Sequence, residues 1–228
     1  MRTGIATSIL LAAGAAGAAV VPDFQPPSPA PIVDRIHGMA VEVVASGGGD
    51  RVNVASGVLA GNGIVLTDLR AVLVQTQSGL LDPARAIVVV TAAGAFPARI
   101  AGAALDVDVA VLELPQAARG LEGAPLAENP SAAGDPLLAI RALRQGAELS
   151  FEAIGFSIEA AEGDAGRLRA TPALPIEFAG APVFDADGAL AGLLVSSGAE
   201  DGLLVTAARL RQILERARAA EPQVDDHI

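Results

Sequence analysis

The feature that most constrains this chain is the way its apolar residues are cut into short runs by turn residues. Met39–Ala45 reads MAVEVVA and predicts a first strand. Val52–Leu59 and Ile64–Thr67 flank Ala60-Gly61-Asn62-Gly63, a strong hairpin signal because Asn and Gly tolerate positive φ. Ala86–Thr91 and Phe96–Ala101 flank a second turn at Ala92–Ala95, and Val109–Leu114 (VAVLEL) completes a first group. Asn129–Gly134 reads as a loop between halves. A second group runs through Pro136–Ile140, Leu149–Ile158, Arg167–Ala170, Ala181–Phe184, Ala189–Ser196 and Leu203–Val205, with a turn at Phe184–Gly188.

Only Ala207–Ala219 has firm helical periodicity. Leu210, Ile213 and Leu214 fall on one face, with Arg209, Arg211, Glu215, Arg216 and Arg218 around the rest. Many short strands at regular spacing followed by one helix predict an all-β fold of two small barrels, with a sandwich as the alternative. Hydrophobic residues make up 52% of the chain but aromatics only 3%, so Val, Leu, Ile and Ala must fill the core.

The net charge of −11 repels polyanions, and no basic stripe or aromatic stacking platform offsets it, so nucleic acid is not an expected partner. The absence of cysteine rules out disulfides, thiolate metal sites and a cysteine nucleophile. His37 and His227 are the only histidines, too few for a dense metal site; no metal or cofactor is expected.

Residues 1–21 read as an export signal: Arg2 supplies a positive start, Ile5–Ala13 an apolar run, and Ala16-Gly17-Ala18 a small-residue cleavage site. The other reading is an uncleaved anchor, although the 17 residues from Ile5 to Val21 fall short of the ~20 a span needs. Either way the folded part is expected outside the cytoplasm, periplasmic or secreted, touching a membrane only through this segment. Prolines 22, 26, 27, 29 and 31 make residues 22–35 a stiff linker. One folded domain is expected over 36–220, in halves of about 36–128 and 135–205 plus the helix, with an acidic tail at 221–228.

The order of motifs resembles trypsin-like serine proteases of the HtrA type. Ala55-Ser56-Gly57-Val58-Leu59 followed by Gly63-Ile64-Val65-Leu66-Thr67 is similar to the strand pair that leads to that family's catalytic histidine. Phe96–Ile100 and Asp106–Leu112 resemble the segment that carries the aspartate. Ala179-Gly180-Ala181-Pro182-Val183, with Asp187-Gly188 and Ala191-Gly192-Leu193, is similar to the stretch that carries the serine and to the strand after it. The resemblance covers about residues 38–216 and implies two six-stranded barrels with a C-terminal helix. No PDZ domain is expected after that helix.

The same resemblance places the histidine at Arg70, the aspartate at Asp108 and the serine at Ala179. A guanidinium has no lone pair to take a proton, and alanine has no nucleophile, so no catalytic residue set is intact. An oxyanion-hole glycine corresponds to Glu177, whose carboxylate would repel a developing oxyanion. The stretch from Thr171 to Pro182 is one residue shorter than the family pattern, which implies a rebuilt loop. Arg70 and Asp108 are expected to form an ion pair across the cleft; if it is buried, removing Arg70 should cost about 3–5 kcal/mol.

A degenerate serine protease of this kind, a pseudoprotease, is expected to be no enzyme. The resemblance implies instead that Leu194-Val195-Ser196-Ser197-Gly198 is an edge that holds a peptide or partner protein by strand addition. Two alternatives stand beside it. One is a serine endopeptidase with a relocated nucleophile among Ser56, Ser150, Ser157, Ser196 and Ser197. The other is a structural subunit of an envelope complex.

Overall fold

The computed structural model describes residues 36, 38–47, 51–75, 79–146, 148–159, 167–196 and 202–219. The export signal, the linker, His37, Ser197, Gly198 and the acidic tail with His227 lie outside the described residues. Fourteen strands form among the described residues, twelve of them in two closed barrels.

The first barrel consists of β1 (Ala40–Ser46), β2 (Val52–Leu59), β3 (Ile64–Asp68), β6 (Ala86–Thr91), β7 (Gly94–Ala104) and β8 (Val109–Glu113), in the order β1-β2-β3-β8-β7-β6. Pairing of β1 with β6, Val43 opposite Val89, closes it. The second consists of β9 (Leu137–Gln145), β10 (Glu148–Glu159), β11 (Arg167–Thr171), β12 (Pro182–Phe184), β13 (Leu190–Ser196) and β14 (Gly202–Thr206), in the order β10-β11-β14-β13-β12-β9. Helix α1 (Ala207–Ala219) follows β14 directly. The predicted fold class is therefore correct, and β2, β6 and α1 have the predicted bounds. A small antiparallel pair, β4 (Leu73–Gln75) with β5 (Leu81–Pro83), was not predicted; it is too short to carry a readable alternation.

Strand alternation divides the apolar residues among three cores. On β8, Ala110 and Leu112 face into the first barrel with Val41, Val43 and Leu59, whereas Val109 and Val111 face outward. On β13, Leu194 points into the second barrel with Ala139, Val183 and Leu204, whereas Leu193 and Val195 point out of it. The outward sets meet in one shared core, which also takes Val58, Leu66, Phe184 and, from α1, Leu210, Ile213 and Leu214. Burying each such aliphatic side chain is worth about 1.5–3 kcal/mol. This third core seats the barrels on each other and clamps the helix on the seam. No helix among the described residues is long and apolar enough to cross a membrane.

Candidate active-site cleft

Polar contacts run along one side of the seam. The amide of Ser56 on β2 donates to the Ala179 carbonyl at 3.3 Å, and the Ser56 carbonyl accepts from the Thr67 hydroxyl at 2.6 Å. The buried Ser56 hydroxyl accepts the Ala142 amide from β9 at 3.1 Å. Gly180 fits between these strands only because it has no side chain. Its φ is +78°, and a Cβ there would overlap the Ser56 carbonyl and come within 2.8 Å of the Thr67 hydroxyl. The turn into β12 is thereby pressed against the first barrel.

Ala179 closes a single 3-10 turn, Ile176–Phe178, whose glutamate, Glu177, is exposed to solvent. The Ala179 amide donates back to the Ile176 carbonyl at 2.9 Å. In a serine hydrolase of this fold the amide of the nucleophile's residue helps to bind the oxyanion. Here that amide already has a partner within its own turn.

Arg70 sits in another 3-10 turn, Leu69–Val72, directly after β3, and its side chain is exposed. Among the described residues the Arg70 guanidinium makes no ion pair, so the expected bridge to Asp108 is not formed. Asp108 occupies a tight turn before β8 with φ +56°, a left-handed conformation that Asp adopts more readily than most residues. From there its backbone carbonyl accepts the Leu69 amide at 2.8 Å, so the two segments meet through main chain.

A carboxylate that does enter the seam beside Arg70 is Asp68, which sequence reasoning missed. It is 1% exposed and caps the Arg70 turn, accepting the Arg70 amide at 2.7 Å. Its other oxygen accepts both the amide and the hydroxyl of Ser196, each at 2.6 Å. The readable signal was an Asp immediately before a short turn, the usual cap pattern.

Of the remaining serines, Ser150 donates to the Leu143 carbonyl at 3.0 Å and Ser157 to the Thr171 carbonyl at 3.4 Å, both within their own sheet. Within the expected binding edge, Leu194 and Val195 have buried side chains and Ser196 is half-buried. No cluster of three or more potential metal ligands occurs among the described residues.

Two six-stranded antiparallel barrels packed on each other, with a helix on their seam, define the trypsin-like class. The chain belongs to the trypsin-like peptidase domain family, whose sequence profile matches residues 55–193. The fold is similar to that of the protease Rv3671c from M. tuberculosis. Its inactive mutant form aligns at TM-score 0.64 and 18% identity over 87% of this chain and 97% of that one. Its active form aligns at 0.65 and 18% identity over 91% and 94%. A serine endoprotease from Yersinia pestis aligns at 0.68 and 21% identity over 86% and 68%. A comparison with curated proteins finds no sequence match. The trypsin-like resemblance read from the motifs is thus borne out.

Proposed function

We propose that this is an exported, non-catalytic member of the trypsin-like family that holds an extended peptide or a partner protein by strand addition at the cleft. The observation that carries the reading is Ala179. It stands at the serine position with no nucleophile, and its amide is spent on the Ile176 carbonyl. Arg70 at the histidine position points the same way, since it is exposed and cannot accept a proton.

Binding by strand addition needs backbone groups and no catalytic side chain. Strand β13 supports it through alternation. The Leu194 amide and carbonyl are taken by the Ala181 carbonyl (2.9 Å) and the Gly180 amide (2.8 Å). Ser196, two residues on, presents its main chain to the same side, beyond the point where the neighbouring segment turns to Ser56. Export rests on residues 1–21 and places the domain in the periplasm or outside the cell.

The test has two arms. Fluorescence anisotropy with labelled extended peptides should detect binding, and failure of every peptide below millimolar concentration would sink the reading. Incubation with casein and with a serine-reactive phosphonate should give neither cleavage nor labelling.

One observation favours a second reading, a hydrolase with a relocated nucleophile: the Ser196 hydroxyl donates to the Asp68 carboxylate at 2.6 Å. Phosphonate labelling mapped to Ser196 would establish that reading in place of the first.

A further inference from the structure

Seven large apolar side chains are exposed among the described residues, and five of them sit on β2, on β6 and at the start of β5: Val52, Val54, Val88, Leu80 and Leu81. Register gathers them. Val44 of β1 stands opposite Val54 on one side and Val88 on the other, and Val88 stands opposite the exposed Pro97, which makes one row across four strands. Val43, Ala45, Ile87 and Val89 beside it point into the barrel, so the row faces out. Next along the same face, Glu42 and Ser56 accept backbone amides of β9, and the apolar row begins where that cover ends. Arg51 donates to the Gln75 side chain at 3.0 Å and Asn53 to the Leu73 carbonyl at 2.7 Å. These bonds hold the β4–β5 pair, with Leu81 opposite Gln75, at the same end of β2.

The charge on this barrel is opposite in sign to that of the chain. Over residues 38–104 the exposed charges among the described residues are Arg51, Arg70, Arg85 and Arg99, the last paired with Glu113, against Asp82 alone. Asp50 in the sequence adds one carboxylate, whereas Glu42 and Asp68 are buried and already bound. The whole chain carries −11. Two of these arginines border the apolar row: Arg51 precedes Val52, and the Arg85 amide donates at 2.8 Å to the carbonyl of Ser46, which stands opposite Val52. Clustered apolar side chains rimmed by cations fit a partner that is apolar within and anionic at its surface.

We propose that this face of the first barrel docks on an anionic lipid bilayer, with Leu80, Leu81 and the valine row at the acyl boundary and Arg51 and Arg85 among the headgroups. The outside of a closed barrel is convex, and a bilayer yields to a convex surface where a folded partner would need a matching hollow. The expected role of residues 1–21, signal or anchor, also brings the chain to a membrane. From there the 14 residues of the linker reach at most about 43 Å. The acidic remainder of the domain is screened from the headgroups beyond a Debye length of about 8 Å. The inference is independent of peptide binding at the cleft.

The chain has no cysteine, so single labels can be placed cleanly on the full-length protein. Leu81→Cys and Val54→Cys, each carrying an environment-sensitive fluorophore, report on the face. Leu105→Cys, at an exposed leucine in the turn after β7, is the control. With phosphatidylglycerol vesicles the labels at 81 and 54 should shift to an apolar signal, and the label at 105 should not. Phosphatidylcholine vesicles, or salt near about 0.5 M, should remove the shift. Neutralising Arg51→Gln and Arg85→Gln together should lower the docked-to-free ratio more than tenfold, about fivefold for each arginine. All these positions are exposed, and an unchanged thermal transition confirms that each variant keeps its fold. Labels at 81 and 54 that stay in water with phosphatidylglycerol overturn the inference, as does an equal response at 105. A response that needs no vesicles and grows with protein concentration overturns it too, by identifying the occupant as a second copy of the chain.

Discussion

Glu42 on β1 accepts the backbone amide of Arg144 on β9 at 2.9 Å, and its second oxygen lies 3.5 Å from the Arg144 guanidinium. One almost fully buried carboxylate thus ties the first strand of one barrel to the first strand of the other. Unequal effects of substitution follow. Glu42→Ala strips the Arg144 amide of its partner and should cost about 1–3 kcal/mol. Arg144→Ala removes only a half-exposed guanidinium and should cost less than about 1 kcal/mol. Urea denaturation of the two variants measures the difference.

Gly180 and Gly61 both have positive φ, +78° and +85°, but only Gly180 is hemmed in. Gly61→Ala meets open space and should cost about 1–2 kcal/mol, the left-handed penalty alone. Gly180→Ala adds an overlap with the Ser56 carbonyl and should separate the turn at Ala179 from β2. Loss of a cooperative thermal transition in Gly180→Ala, with a modest shift in Gly61→Ala, is the expected result.

Arg70→Ala should be nearly silent for stability, within about 0.5 kcal/mol, because the side chain is exposed and makes no ion pair among the described residues. The main-chain amide that Asp68 accepts is retained in this variant. A loss of several kcal/mol in denaturant titration would instead indicate the buried Arg70–Asp108 bridge expected from the sequence.

Leu210 on α1 is fully buried in the core shared by both barrels and the helix. Leu210→Ala should cost about 2–5 kcal/mol, the range for emptying a rigid core site. Since the helix packs against β13 and β7, the loss should appear as one global transition rather than local fraying of α1. Calorimetry and helix-sensitive circular dichroism should therefore give coincident midpoints.

The strand pattern was legible because short apolar runs, some such as β3 and β13 buried on both faces, are cut by turn residues such as Gly61-Asn62-Gly63. The cleft was legible only in part. Motif order pointed to Arg70, Asp108 and Ala179, but spacing could not tell that Asp108 would adopt φ +56° and meet the Arg70 turn through its backbone. Nor could it pair Asp68 with Ser196, since a contact across 128 residues leaves no local trace in one sequence.

The amino-acid order alone set the barrel strands and the C-terminal helix, because apolar runs, turn chemistry and helical periodicity are properties of short stretches. The tertiary structure alone decided which carboxylates are buried between the barrels and which amides are already paired. Those are matters of how two closed barrels dock, and docking brings together groups that the chain keeps far apart.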